Sequence, residues 1–225
     1  QSASQYVDGV PNLSAFNFDD ILKCPTCLKV NLTKNFGKKS LRDSVERPYQ
    51  GLFIDFAFSG KIKRDKKGVV IEASRADVEG MNGETAWILI SDAQTRMLHG
   101  DTRLSKSSPV KYLESFLQQY SPECKNKWVV LDQGGELYGN PDVRNLFTRY
   151  NYKIYPTGAD SSSQNGPVER AHRTVSNGIK SCLIGAGLLI AYWPFSFLHV
   201  LRIQHSLPGN GQGSSPIHLS TGSKD

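Results

Sequence analysis

The chain has 225 residues, of which 38% are hydrophobic, 10% aromatic and 21% charged, and it carries a formal net charge of +6. That length holds one sizeable domain with room for a small appendage, and the composition excludes wholesale disorder. No run of about 18 apolar residues occurs, so no helical membrane span is expected, while the positive balance favours polyanionic partners such as nucleic acid.

Residues 1 to 20 show no periodicity, and residues 1 to 23 have no basic start leading into an apolar stretch, so no secretory signal is read there. The four cysteines, at 24, 27, 124 and 182, are too scattered for a disulfide framework and suit a reducing compartment. Cys24 and Cys27 stand in "CPTC", followed by a Lys-rich link that ends near Pro48. The basic runs "KNFGKK" (34 to 39) and "KIKRDKK" (61 to 67) read either as solvated loops or as contacts for a polyanion.

From Gly51 the texture changes: "GLFIDFAF" is a nearly continuous apolar run interrupted by Asp55, the pattern of a strand buried on both faces. A long polar connection (60 to 84) follows, with room for a short strand around Val69 to Ile71. "TAWILISD" (85 to 92) and "TRMLHGD" (95 to 101) read as a strand hairpin. "SPVKYLESFLQQY" (108 to 120) has helical apolar spacing, with Ser108 predicted as N-cap. "KWVVLD" (127 to 132) is a further apolar strand, residues 140 to 150 a helix, and 152 to 156 a strand. Two helices are predicted next, over about 166 to 186 and 192 to 207, then a Gly-rich loop (208 to 216). This order describes an α/β chain: a mixed sheet with helices on its faces. No internal repeat is seen.

Three acids invite a chemical reading. Asp55 sits among apolar neighbours, where a carboxylate must be paired, bound to a metal or at a strand end that reaches water. Asp132 closes an apolar strand before "QGGE"; it is either a ligand-binding strand end or an ordinary turn residue. Glu169, in "SSSQNGPVERAHRTV", is predicted close to a helix start, with Pro167 in the first turn and the acid complementing the helix dipole. On a helical wheel Val168, Ala171, Val175, Ile179, Cys182 and Ala186 form the core face, while Glu169, Arg173, Ser176 and Lys180 share an adjacent stripe. Glu169 therefore pairs with Arg173 at the surface or points over the sheet edge. Converging at one sheet edge, two Asp and one Glu would offer hard oxygen ligands suited to two Mg²⁺ or Mn²⁺ ions, which can promote in-line displacement at a phosphodiester.

The contexts "FIDF", "VVLDQGGE" and "SSQNGPVERAHRT", in that order, resemble the Asp-Asp-Glu catalytic core of retroviral-type integrases, and are most similar to those of copia-type long-terminal-repeat retrotransposons. Asp132 and Glu169 have 36 residues between them, close to that family's interval. The resemblance covers about residues 22 to 222, and "SSPIHLSTG" is similar to the stretch that follows the family's core. It implies a ribonuclease-H-like fold, a mixed five-stranded sheet flanked by helices, preceded by a short partial zinc-module segment. The implied divisions are residues 1–47 (incomplete zinc module), 48–208 (catalytic core) and 209–225 (C-terminal tail).

The activity implied is metal-dependent DNA strand transfer, in which a 3′-hydroxyl of the mobile element's DNA attacks a target phosphodiester directly. Asp55, Asp132 and Glu169 would be the catalytic metal ligands, and Gln164, Asn165, Arg170, His172, Arg173 and Lys180 the DNA contacts. The implied partners are element-end DNA and target DNA, acting on a homo-oligomer with no membrane, in the nucleus and before that in a cytoplasmic particle. Gln133 stands where the family usually has Asn, and Ala171 replaces a common basic residue. "CPTC" resembles half of the family's His-His-Cys-Cys zinc module, yet none of the five histidines precedes it, so Cys24 and Cys27 would form a full Zn²⁺ site only in a longer parent protein. Cys124, Cys182 and the histidines other than His172 are expected to be packing residues. A ribonuclease-H-like nuclease and a non-catalytic DNA-binding remnant are the alternatives; the "CPTC" and "QNGPVER" contexts weigh against the first and the three retained acids against the second.

Overall fold

In the computed structural model, residues 45–58, 62–64, 70–73, 79–105, 107–157, 162–208 and 213–221 are described, with 62–64, 70–73 and 162–165 described as backbone. Cys24, Cys27 and the zinc module expected around them lie outside the described residues.

The apolar run at Gly51 forms β1 (Gly51–Phe58), at the centre of a sheet whose other strands are β4 (Ala86–Asp92), β5 (Leu98–Arg103), β6 (Lys127–Leu131) and β7 (Tyr152–Pro156). The order is β5-β4-β1-β6-β7, with β1, β6 and β7 parallel and β4 and β5 antiparallel to their neighbours. The polar connection after β1 contains a separate antiparallel hairpin, β2 (Ile62–Arg64) with β3 (Val70–Ala73).

Because side chains alternate across a strand, β1 supplies two cores at once. Leu52, Ile54 and Phe56 join one cluster with Leu113, Phe116 and Leu117 of α1 (Val110–Tyr120) and Val143, Leu146 and Phe147 of α2 (Pro141–Arg149). Phe53 faces the other way, into a cluster with Trp87, Leu89 and Val130, with Val168, Val175, Ile179 and Leu183 of α3 (Ser162–Gly185), and with Trp193, Phe197 and Val200 of α4 (Trp193–Ser206). A full burial of one such Leu or Phe contributes about 1.5–3 kcal/mol, so each face is held by its own apolar layer.

The two helices on the first face start differently. Asn140 caps α2, its side chain accepting from the Asp142 N–H at 2.9 Å, with Pro141 in the first turn. The expected Ser108 cap on α1 is not made: the N-cap position is Pro109, which has no capping side chain, and the Ser108 hydroxyl instead accepts from the Asn140 amide at 2.8 Å. Arg149 and Glu114 tie the two helices at 2.9 Å. On the other face α3 and α4 cross closely at Gly178, where a Cβ would lie 2.8 Å from Val200 Cγ1. Past the Gly-rich loop, α5 (Pro216–Thr221) packs against α4.

Candidate active site

Asp55 occupies an odd position of β1, on the same side as Phe53, and is therefore directed to the α3 face. The β1–β6 register pairs Ile54 with Leu131, so Asp55 and Asp132 follow at the same level on adjacent parallel strands, about 4.8 Å apart in the pairing direction. Asp132 shares its parity with Val130 and so faces the same way. Both acids are half-buried. The sequence left each open between structural and chemical roles; the fold sets them side by side.

The surroundings hold the pair in place. Asp55 Oδ1 accepts from the Phe56 N–H at 2.8 Å. Asp132 Oδ1 accepts from the Thr157 hydroxyl at 3.3 Å, and the Thr157 N–H extends the β6–β7 ladder by bonding Leu131 O at 3.0 Å. The loop after Asp132 doubles back tightly: Gly139 N–H bonds Gly134 O at 3.1 Å, and a Cβ on Gly139 would meet the Gly135 Cα at 2.7 Å. Thus "QGGELYG" anchors the strand end through backbone contacts that side chains would obstruct.

Glu169 lies on α3 but not at its start. The helix begins at Ser162, so Pro167 is inside it and its first turn contains no acid. The expected first-turn proline and dipole-complementing carboxylate are both corrected, because the dipole's influence fades beyond that turn. Glu169 is exposed, as are Arg170, Arg173 and Lys180, while Ser176 is half-buried. The wheel is right for Val168, Val175 and Ile179, all buried, and for Ala171 and Cys182, packed at the margin. It fails at Ala186, which is exposed one residue past the helix end, where Leu183 takes the core position. Gln164 and Asn165 belong to the first turns of α3, and their side chains lie outside the described residues.

His172 is the clearest departure. Expected among the DNA contacts, its side chain is only 12% exposed and faces the sheet, so the ring is not presented to a nucleic-acid backbone. The Trp87 indole N–H donates to its Nδ1 at 3.2 Å, and its Nε2 stands 3.7 Å from Asp55 Oδ2. Burial pushes the ring down to about 4, so it is neutral near pH 7. The signal was in the sequence: His172 lies four residues after Val168 and seven before Ile179, on the apolar stripe itself. Trp87 had no such signal, since a tryptophan in a buried strand reads as core.

Asp55 and Asp132 present the oxygen donors that Mg²⁺ or Mn²⁺ prefers, and so fit such an ion by donor chemistry and by register. Among the described residues, however, no three His, Cys, Asp or Glu side chains are gathered into a metal-binding group, so Glu169 is not drawn in with the two aspartates. Cys124 and Cys182 are free and half-buried.

No protein-family model matches this sequence, and no curated protein sequence matches it significantly. Solved structures do match. They include the HTLV-2 integrase catalytic core domain in complex with magnesium, in a trimeric form (TM-score 0.52, 15% identity, covering 81% of this chain and 99% of that one). A chain of the simian T-cell lymphotropic virus intasome matches at TM-score 0.56 and 12% identity, covering 92% of this chain and 68% of that one. The BIV integrase catalytic core matches at TM-score 0.52 and 11% identity, covering 77% and 95%. The mixed five-stranded sheet flanked by helices is thus the ribonuclease-H-like fold of integrase catalytic cores.

Proposed function

We propose that this chain is the catalytic core of a copia-type retrotransposon integrase, a polynucleotidyl transferase that joins the 3′ ends of element DNA to target DNA. The observation that carries the reading is the placement of Asp55 and Asp132 at one level on adjacent parallel strands, facing α3, within this fold. Those two carboxylates would hold a divalent cation, Mg²⁺ or Mn²⁺, with Glu169 as the further ligand from α3. When bound, the cation supplies Lewis-acid polarisation of the phosphodiester and of the attacking oxygen. The magnesium named with the HTLV-2 core supports that choice of ion.

The remaining roles belong to the chain's own side chains. Arg173 and Lys180, exposed on the stripe that carries Glu169, would neutralise DNA phosphates, with Arg170 beside them and Gln164 and Asn165 at the helix start. Element-end and target DNA would therefore lie along α3. The trimeric form and the intasome among the neighbours favour action as a homo-oligomer, and exposed Leu188, Leu189, Ile190, Phe195 and Leu198 offer apolar surface for it. Such a protein would act in the nucleus after passage through a cytoplasmic particle.

One observation favours a second reading. The exposed position of Glu169, outside any three-residue metal group among the described residues, also suits a core that binds DNA without catalysis. Strand transfer of a short duplex into plasmid with Mg²⁺ or Mn²⁺ separates the two. The integrase reading expects product from the wild type and none from Asp132→Asn; product undiminished in the variant sinks it. DNA retention without product from either protein supports the remnant.

A further inference from the structure

The His172 ring packs beside Asp55, and its buried Nε2 has no hydrogen-bond partner among the described residues. A buried polar atom left in that condition is destabilising, so its placement calls for a reason.

The geometry supplies one. A neutral imidazole carries its proton on one nitrogen, and the other accepts. The Trp87 indole can only donate, and it donates to His172 Nδ1 at 3.2 Å, so the ring proton must sit on Nε2. That nitrogen stands 3.7 Å from Asp55 Oδ2, beyond hydrogen-bond range, with the Asp55 backbone also beside the ring. The other oxygen of Asp55 is already engaged by the Phe56 N–H at 2.8 Å. Trp87 is itself fixed, packed among Trp193 and Phe197 at ring-centroid distances of 5.3 and 6.0 Å. A rigid indole therefore sets the imidazole tautomer, and the imidazole aims a neutral donor at one oxygen of a carboxylate.

We propose that Trp87 and His172 form a positioning relay for Asp55: the indole holds the ring as its Nε2–H tautomer, and that N–H closes onto Asp55 Oδ2 when the site is loaded. Hydrogen bonds at catalytic sites often tighten as ligands bind. Donors behind metal-binding carboxylates orient them, and their loss typically weakens metal affinity 10–100-fold. A neutral donor does this without placing a positive charge beside the incoming cation. His172 is thus a positioning residue acting through Asp55, and the inference rests on the metal-site reading above.

The test is Mn²⁺ binding by calorimetry together with ¹⁵N-histidine NMR. The wild type is expected to show His172 protonated on Nε2. Replacing the donor in His172→Phe is expected to raise the Mn²⁺ dissociation constant about tenfold or more, with His172→Gln, which keeps a neutral N–H, recovering most of the loss. Trp87→Phe is expected to abolish the single-tautomer signature. A wild-type ring protonated on Nδ1 overturns the relay even if a variant fails to fold, as does His172→Phe binding Mn²⁺ as tightly as the wild type. Wild type and Asp55→Asn alike failing to bind Mn²⁺ would instead overturn the metal site, and the relay with it.

Discussion

The two faces of the central sheet are built from the same strands and differ in how they use their polar residues. On the α1–α2 face, β1 contributes Leu52, Ile54 and Phe56 to a continuous apolar and aromatic layer. On the α3–α4 face the intervening positions are Phe53 and Asp55, and the layer is opened by Asp55, Asp132, His172 and the indole N–H of Trp87. A period-two strand thus separates an apolar face from one that carries a carboxylate within eight residues. Asp92, at the end of β4, shows that an acid alone does not mark chemistry. Its oxygens accept from the Tyr49 N–H at 2.7 Å, the Thr95 N–H at 2.8 Å and the Thr95 hydroxyl at 2.6 Å, so it ties a turn together.

This division makes the faces separable by mutation. The largest effect is expected from the α3 face: Asp55→Asn or Asp132→Asn should lower strand transfer by at least about 10³-fold, while the urea midpoint stays within a few tenths of a molar of wild type. A comparable loss of stability at both positions would erase the distinction. Phe147→Ala, on the opposite face, should do the reverse. Its side chain is fully buried, so unfolding free energy should drop by about 3–5 kcal/mol, with Mn²⁺ affinity unchanged in the folded protein.

Acid should strain both faces through their histidines. His172 on one side and His99 on the other are each pushed down to about 4, chiefly by burial, with the nearby His205 charge pushing His99 the same way. Their folded values lie below the unfolded one, so the stability of their neutral forms is complete above about pH 6.5 and is lost as pH falls towards 4. A tenfold change in a proton-binding constant is worth about 1.4 kcal/mol, so the combined loss at pH 4 is on the order of a few kcal/mol. Melting curves across that window should show a falling Tm, made shallower by His99→Gln; a flat or rising Tm would refute the burial argument.

Smaller effects sharpen the α3–α4 contact and the outer stripe. Gly178→Ala places a methyl against Val200, and a cost of about 1–3 kcal/mol is expected by chemical denaturation. Arg173→Ala and Lys180→Ala should leave stability within about 0.5 kcal/mol and each reduce the salt slope of DNA binding by about one. An unchanged slope in both would remove α3 from the DNA path.

Much of this layout is legible in the sequence, for identifiable reasons. Long apolar runs mark β1, β4 and β6, and the single interruption in "GLFIDFAF" singles out Asp55. Local signals mislead where a tertiary partner decides the outcome. Ser108 looks like a cap, but the Asn140 amide claims its hydroxyl. Gly166 and Pro167 look like a helix boundary, yet α3 runs through them from Ser162. His172 groups with its charged neighbours in "ERAHRT" although its position on the wheel is apolar. Parallel pairing of β1 with β6, which brings two acids 77 residues apart into one register, leaves no trace in either segment alone.

The most direct test of a metal site on the α3 face is paramagnetic broadening of the ¹⁵N-labelled protein by Mn²⁺. The amide signals of Asp55, Phe56 and Asp132 should broaden first, followed by Glu169, while those of α2 on the opposite face persist. Broadening centred away from Asp55 and Asp132, or its persistence unchanged in Asp55→Asn, would contradict that site.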